Sequence, residues 1–458
     1  MSVPPALAVG ALYDSLLQAA LRQFFSRAVL DTEPTPSLSS DGRLSIEPSA
    51  DPFALTIRWF GTRYTLRARS RWPFTAHEVR FARAIGSVLA ARYRAILSPR
   101  IIAERSVLFR GAIEDRYVGA FLDPEPYLLD SPQPRAERIA SVIELLRVAA
   151  LSSYENRTIT TGVLLLGTTD DPCRPHPALQ ARAPSYTESL TSIKSFYRLA
   201  DGVRTVFLAN AEGRLLDIID IDRWSRDVCF DEEPDPQPEV SGPKAYEAHA
   251  RATVRHGHVC AVLSPSREIK VFAEGAQLFA FRGASWHLLD LKAKYDVWAE
   301  AVRDQSLALR LFQTALDLAD AREGALFVVV RDPAEAVPQL LAPADRLGSD
   351  MPDVDTSDGP SRRDLLQLVA GRTVMDLDPT VFAALASIDG ATVTDRNGRL
   401  LAAGAILRHP ASTDFEHEGI VEGARTTAAL AASRYGPVLK VSADGVITFF
   451  DGERIWDI

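Results

Sequence analysis

Asp389-Gly390-Ala391-Thr392-Val393-Thr394-Asp395-Arg396-Asn397-Gly398-Arg399-Leu400-Leu401 reads as two short strands about a glycine turn. Gly398 permits the left-handed backbone of a tight reversal, and the β-branched residues before it suit an extended chain. The same pattern stands earlier, as Phe207-Leu208-Ala209-Asn210-Ala211-Glu212-Gly213-Arg214-Leu215-Leu216. Two further segments match in the same order. A helical stripe (Leu311, Phe312, Ala315, Leu318, Ala319) leads to the apolar run Ala325-Leu326-Phe327-Val328-Val329-Val330, as Ile139, Ile143 and Leu146 lead to Val163-Leu164-Leu165-Leu166. Val438 to Ile447, centred on Leu439-Lys440-Val441-Ser442, is matched by Cys260 to Ile269, centred on Val262-Leu263-Ser264. Three matches in one order predict two related units, one after the other, in an α/β (α+β) chain of several domains. The expected domains are residues 1–98, 99–300 and 301–458.

The first segment differs. Leu12, Leu16, Leu17, Leu21 and Phe24 predict a helix; Phe53, Leu55, Ile57 and Trp59 share one face of a strand, and Tyr64, Leu66 and Ala68 continue on a second after Gly61. Thr75 and Glu78 form a capping-box pair ahead of a stripe of Phe81, Ile85, Val88 and Leu89. A hairpin followed by an amphipathic helix is loosely similar to small sensory domains of the GAF and PAS type. Three acidic, Pro-rich or Gly-rich stretches, Asp123 to Pro134, Asp231 to Glu239 and Gly348 to Arg363, read as loops or linkers.

A chain of 458 residues exceeds one ordinary core, and 47% hydrophobic with 24% charged residues lets each domain bury its own. The apolar runs are too short to cross a bilayer, and Met1-Ser2-Val3-Pro4-Pro5 has no signal-peptide pattern, so a cytoplasmic protein with no membrane partner is expected. Cys173, Cys229 and Cys260 are widely spaced, which fits buried thiols and neither a disulfide framework nor a cysteine-based zinc site. His249, His256 and His258 with Cys260 offer metal-ligating types, but residues alternating into a strand point to opposite faces.

The net charge of −9 disfavours general nucleic-acid binding. It hides a local reversal: between Asp51 and Arg100 there are ten arginines (Arg58, Arg63, Arg67, Arg69, Arg71, Arg80, Arg83, Arg92, Arg94 and Arg100) against two acids, Asp51 and Glu78. That segment is either a polyanion surface or a solvated, salt-bridged strand face, and the second reading is favoured because no exposed aromatics interleave with the arginines.

The chemistry-bearing residues lie in the last third. Asp389-Gly390-Ala391 enters a strand, and Glu422-Gly423-Ala424-Arg425-Thr426-Thr427-Ala428-Ala429 opens a helix beyond Leu407. Taken singly, Asp-Gly is a common turn dipeptide and Gly423 to Tyr435 is any alanine-rich helix. Taken together, the span from Leu307 to Ile458 resembles the diadenylate cyclase domains, which carry Asp-Gly-Ala and a Gly-Thr-Arg-His-Arg-Ala-Ala helix start. Asp389, Gly390 and Ala391 match the first motif in full; Gly423, Arg425, Ala428 and Ala429 match the second, whereas Ala424, Thr426 and Thr427 replace Thr, His and Arg. The flanking Gly324-Ala325-Leu326, Ala402-Ala403-Gly404 and Val441-Ser442 also resemble the family, with Ala443 where it usually has an acid.

The resemblance implies an enzyme that condenses two ATP to c-di-AMP and pyrophosphate across two facing domains, hence a homo-oligomer. It assigns Asp389 as catalytic carboxylate and ligand of Mg²⁺ or Mn²⁺, and Gly390, Ala391, Leu407, Arg408, Gly423, Arg425, Thr426, Thr427 and Ser442 to the nucleotide. A glycine beside the carboxylate lets backbone approach the nucleotide, and helix-start amides suit phosphate. Each charged hydrogen bond lost with the replaced His and Arg costs about 1.5 to 3 kcal/mol, unless Arg372, Arg408 or His409 supplies the charge. The alternative is a regulatory protein that binds ATP or a cyclic dinucleotide without turnover. In the middle unit Arg204 and Thr205 stand where Asp389 and Gly390 would, so that unit reads as a pseudo-domain.

Overall fold

The computed structural model describes residues 5–34, 44–48, 50–69, 72–97, 106–127, 137–167, 183–227, 239–347, 366–408 and 423–458. Most of the three linker stretches, Cys173, Cys229, Arg71, Arg100, His409 and Glu422 lie outside the described residues. The chain is a multi-domain α+β protein built on three main sheets, and it divides into two compact units, 1–237 with 248–290 and 238–247 with 291–458.

In the first unit, β1 (Ala28–Pro34), β2 (Ser45–Pro48), β3 (Ala54–Trp59) and β4 (Thr62–Ala68) form an antiparallel sheet in the order β1-β4-β3-β2. The period-two pattern decides its faces: Leu55, Ile57, Trp59, Tyr64 and Leu66 are buried. Against them pack the helices Pro5–Phe24 and Ala76–Leu97, through residues such as Leu17, Leu21, Ile85 and Leu89. The second helix is opened by the expected capping box, in which the Glu78 amide donates to Thr75 Oγ1 at 3.1 Å and the Thr75 amide to Glu78 Oε2 at 2.9 Å.

Residues 1–98 and the middle sheet, read separately in the sequence, share one continuous core: Phe81 and Phe121 both meet Phe279 edge-on or tilted, with ring centroids 5.2 and 5.0 Å away. The middle sheet comprises β7 (Thr161–Leu165), β8 (Thr205–Ala209), β9 (Leu215–Asp220), β10 (Val259–Leu263), β11 (Ile269–Ala273), β12 (Ala276–Arg282) and β13 (Ser285–Leu288), in the order β13-β12-β11-β10-β7-β8-β9. Between the first sheet and this one the chain forms the helices Ala76–Leu97, Ile113–Leu122 and Arg138–Ala150 and the small hairpin of β5 (Ser153–Tyr154) and β6 (Arg157–Thr158).

The second unit carries β14 (Ala325–Val329), β15 (Ala391–Thr394), β16 (Leu400–Ala405), β17 (Val438–Val441), β18 (Ile447–Phe450) and β19 (Arg454–Asp457), in the order β16-β15-β14-β17-β18-β19. The two large sheets thus share one order over six strands, and β13 is an addition to the middle sheet. β14 pairs parallel with β15 and antiparallel with β17, as β7 pairs parallel with β8 and antiparallel with β10. Even the turns repeat: Asp395 Oδ1 accepts the amides of Asn397 and Arg399, and Asn210 Oδ1 accepts those of Glu212 and Arg214. Gly398 at φ 76° and Gly213 at φ 74° close them. β14 and β7 are buried at every residue, which is why each reads as an unbroken apolar run. One face of the second sheet is covered by the helix Ala424–Ala432, with Leu326, Val328, Val393 and Val438 in the shared core. The helix Gln305–Asp320 brings Phe312 against Trp456, part of an aromatic group that includes Phe449 and Trp298.

Candidate functional site

Strand direction gathers the site. β14 and β15 start side by side, while β16 and β17, antiparallel to them, finish there: Ala391 faces Ala405 and Ala325 faces Val441. One end of the sheet therefore carries Gly324, Asp389, Gly390, the residues after Ala405, and Ser442. The helix Ala424–Ala432 also starts at this end, since Arg425 Nη2 donates to Asp389 Oδ1 at 2.9 Å.

Two glycines make the geometry possible. Gly390 has φ 119°, and a Cβ there would lie 2.3 Å from the Gly404 carbonyl, so the backbones of the Asp389 turn and of β16 meet without room for a side chain. Gly324 has an ordinary backbone, but a Cβ would lie 2.1 Å from Arg425 Nη1. The guanidinium occupies the notch that this missing side chain leaves, and it is 41% exposed. Asp389 reaches outward and is 96% exposed.

The helix start is polar in a particular way. Its N-cap residue, Gly423, is exposed and makes no side-chain cap, so backbone amides are presented at the positive end of the helix dipole. Thr426 and Thr427 send their amides back to the Gly423 carbonyl at 2.8 and 3.3 Å. The Thr426 hydroxyl accepts a hydrogen bond from Lys440 Nζ at 3.0 Å. Lys440 is a charged group that the sequence pattern did not single out: it sits in an otherwise apolar strand, and only the fold shows that it reaches Thr426.

The remaining expected residues are placed differently. Ala391 and Leu407 are buried in the core of the sheet. Arg408 is exposed and its amide donates to the Leu340 carbonyl at 2.8 Å. Ser442 donates to the Val446 carbonyl at 3.1 Å within the β17–β18 turn, and Ser264, its counterpart, donates to the Glu268 carbonyl at 3.2 Å in the matching β10–β11 turn. Serine at this point serves the turn in both sheets. Arg372 lends its carbonyl to the Leu400 amide at 3.0 Å, beside the opposite end of β16.

The donor set tests the expected metal. Asp389 is a single carboxylate, and among the described residues no group of three or more His, Cys, Asp or Glu comes together. A lone exposed carboxylate is a donor set that Mg²⁺ or Mn²⁺ could share with the phosphate oxygens of a nucleotide. Two of the three histidines, His249 and His258, are core groups bonded to backbone: the His249 ring meets the Gly202 carbonyl at 3.0 Å, and His258 Nδ1 accepts the Gly167 amide at 3.0 Å. Burial pushes the His249 imidazole down to about 4.

In the middle sheet the strand register sets Arg204 and Thr205 against Asp389 and Gly390, and Val262 against Lys440. At the corresponding end of this sheet Gly202 packs against β7, where a Cβ would lie 2.5 Å from the Thr161 carbonyl oxygen, and its own carbonyl meets the buried His249. The Arg-rich face of the first sheet carries both signs. Arg58 pairs with Glu47 at 3.4 Å and Arg67 with Asp31 at 3.7 Å, as on a solvated strand face. Arg80 stands on the helix Ala76–Leu97 and reaches Glu274.

No family model matches the chain, and no curated protein matches it. Among solved structures, it is similar to a hypothetical membrane spanning protein from Bacillus cereus, at 19% identity over 36% of this chain and 71% of that one, with a TM-score of 0.26. It is also similar to a double cysteine variant of DacA from Staphylococcus aureus, at 22% identity over 34% of this chain and 89% of that one, with a TM-score of 0.21. Scores this low establish neither fold nor activity, and the α+β architecture rests on the strand order itself. Among the described residues no helix is long and apolar enough to cross a membrane.

Proposed function

We propose that the second unit is a nucleotide site of the diadenylate cyclase type, in which two copies of the chain face one another and condense two ATP to c-di-AMP. The observation that carries this reading is the meeting of Asp389, Arg425 and the helix start at one sheet end, with Arg425 seated over Gly324 and 2.9 Å from Asp389. In the reaction the 3′-oxygen of each nucleotide bonds to the α-phosphorus of the other. The bond to the β-phosphate breaks, pyrophosphate leaves with the electron pair, and the hydroxyl proton passes to Asp389 or to the water that reaches it. Mg²⁺ or Mn²⁺ would be held by Asp389 and the phosphates and would lower the charge that the phosphates present. Arg425 contributes a charge-assisted hydrogen bond, and the helix-start amides bind phosphate oxygens.

The test is direct. Purified protein with ATP and either metal is assayed for c-di-AMP by mass spectrometry, and Asp389→Asn should abolish product while leaving the fold intact, since the side chain is 96% exposed. Absence of product with both metals at high protein concentration would end the synthetic reading. A second reading is then favoured by Thr426 and Thr427, which offer neutral hydroxyls where the family has cations: the unit binds ATP or a cyclic dinucleotide and regulates without turnover. Calorimetry with ATP and c-di-AMP decides it, and failure to bind either rules it out.

A further inference from the structure

Lys440 lies inside β17, opposite Leu326 of β14 and Thr448 of β18, and its strand neighbours Val438, Leu439 and Val441 are buried. A lysine at such a position partly desolvates its ammonium, and sequence patterning alone would put an apolar residue there. Its counterpart in the middle sheet is the buried Val262. The lysine therefore stands in the copy that also has Asp389, Gly390 and Arg425, and is replaced in the copy that lacks them. Its ammonium is directed to the first turn of the helix, donating to Thr426 Oγ1 at 3.0 Å. An ammonium has three N–H groups, and the bond to Thr426 holds it beside the first turn of the helix.

We infer that Lys440, oriented by Thr426, is a phosphate-binding cation of this site, supplying from β17 the charge that Thr426 and Thr427 lack on the helix itself. The inference rests on the nucleotide reading above. Arg425 and Lys440 then both bring a cation to the first turn of the helix, one from the helix itself and one from β17.

The experiment is titration calorimetry of the full chain with ATP, AMP and adenosine at several salt concentrations, for the wild type, Lys440→Met, Lys440→Arg and Thr426→Val. Lys440→Met keeps an unbranched stem in an apolar strand and should weaken ATP at least tenfold, leave adenosine unchanged and flatten the salt dependence. Lys440→Arg should retain ATP within a few fold, and Thr426→Val, which removes the orienting hydroxyl, should weaken ATP several fold. Wild-type affinity for ATP in Lys440→Met, or equal losses for ATP and adenosine, would reduce the lysine to a structural role and overturn the inference while the nucleotide reading stands. A wild type that binds none of the three would overturn both.

Discussion

Replacing Gly324 by alanine separates the site from the fold. The new Cβ would lie 2.1 Å from Arg425 Nη1, and a normal contact of about 3.5 Å obliges the guanidinium to retreat by roughly 1.4 Å. That movement breaks the 2.9 Å bond to Asp389. The cost to stability is small. The pair is solvent-exposed, with Asp389 96% and Arg425 41% accessible, and such pairs contribute about 0 to 1 kcal/mol. Gly324 does not have a left-handed backbone, so alanine also restricts the unfolded chain, which stabilises by about 0.4 to 1 kcal/mol. The two effects offset each other, and the unfolding free energy from urea titration should stay within about 1 kcal/mol of wild type. Binding should respond differently. A charged hydrogen bond to phosphate contributes about 1.5 to 3 kcal/mol, so a misplaced Arg425 should weaken ATP by roughly tenfold to 150-fold in calorimetry. ATP affinity within twofold of wild type in a folded Gly324→Ala protein would refute the assignment of Arg425 to the nucleotide.

Gly390→Ala should do the opposite, because its φ of 119° and the Gly404 backbone 2.3 Å away leave no flexible neighbour to yield; a loss of more than about 2 kcal/mol in urea unfolding is expected. The first unit should show a titration at His77, which hydrogen bonds to Asp290 and Glu274 hold up at about 9. A raised folded value means its contribution is complete below 6.5 and disappears as pH rises through 9, so the wild type should lose more stability than His77→Gln between pH 6.5 and 9. Glu274, lowered to about 2 by His77 and Arg80, should contribute above 4.5 and lose that contribution as pH falls towards 2; Glu274→Gln should flatten that acid limb. His249 acts in the other sense from His77: with its folded value at about 4, the unfolded chain takes up the proton first, so stability falls between pH 6.5 and 4, and His249→Gln should remove that slope.

Much of the architecture was legible because it depends on local pattern. Buried strands such as Ala325–Val329 declare themselves as apolar runs, the Gly213 and Gly398 turns as left-handed positions, and the helix at Ala76 by its Thr75–Glu78 box. The register of Arg204 against Asp389 was legible too, since the paired segments are free of insertions between Phe207 and Gly213. At the candidate site, Asp389, Gly390, Gly423 and Arg425 were legible as a motif; that Leu407 and Ala391 are buried and that Ser442 bonds within a turn was not, because a motif does not say which way a side chain points.

Sequence by itself determined which segments form strands and helices and which residues carry charge, because those follow from periods of two and 3.6 residues and from side-chain chemistry. Only the tertiary structure decided that the first ninety-eight residues and the middle sheet share a core, that Arg425 fills the space over Gly324, and that Lys440 meets Thr426. These are contacts between residues far apart in the chain, created when strands choose neighbours and helices choose faces. No local pattern encodes them.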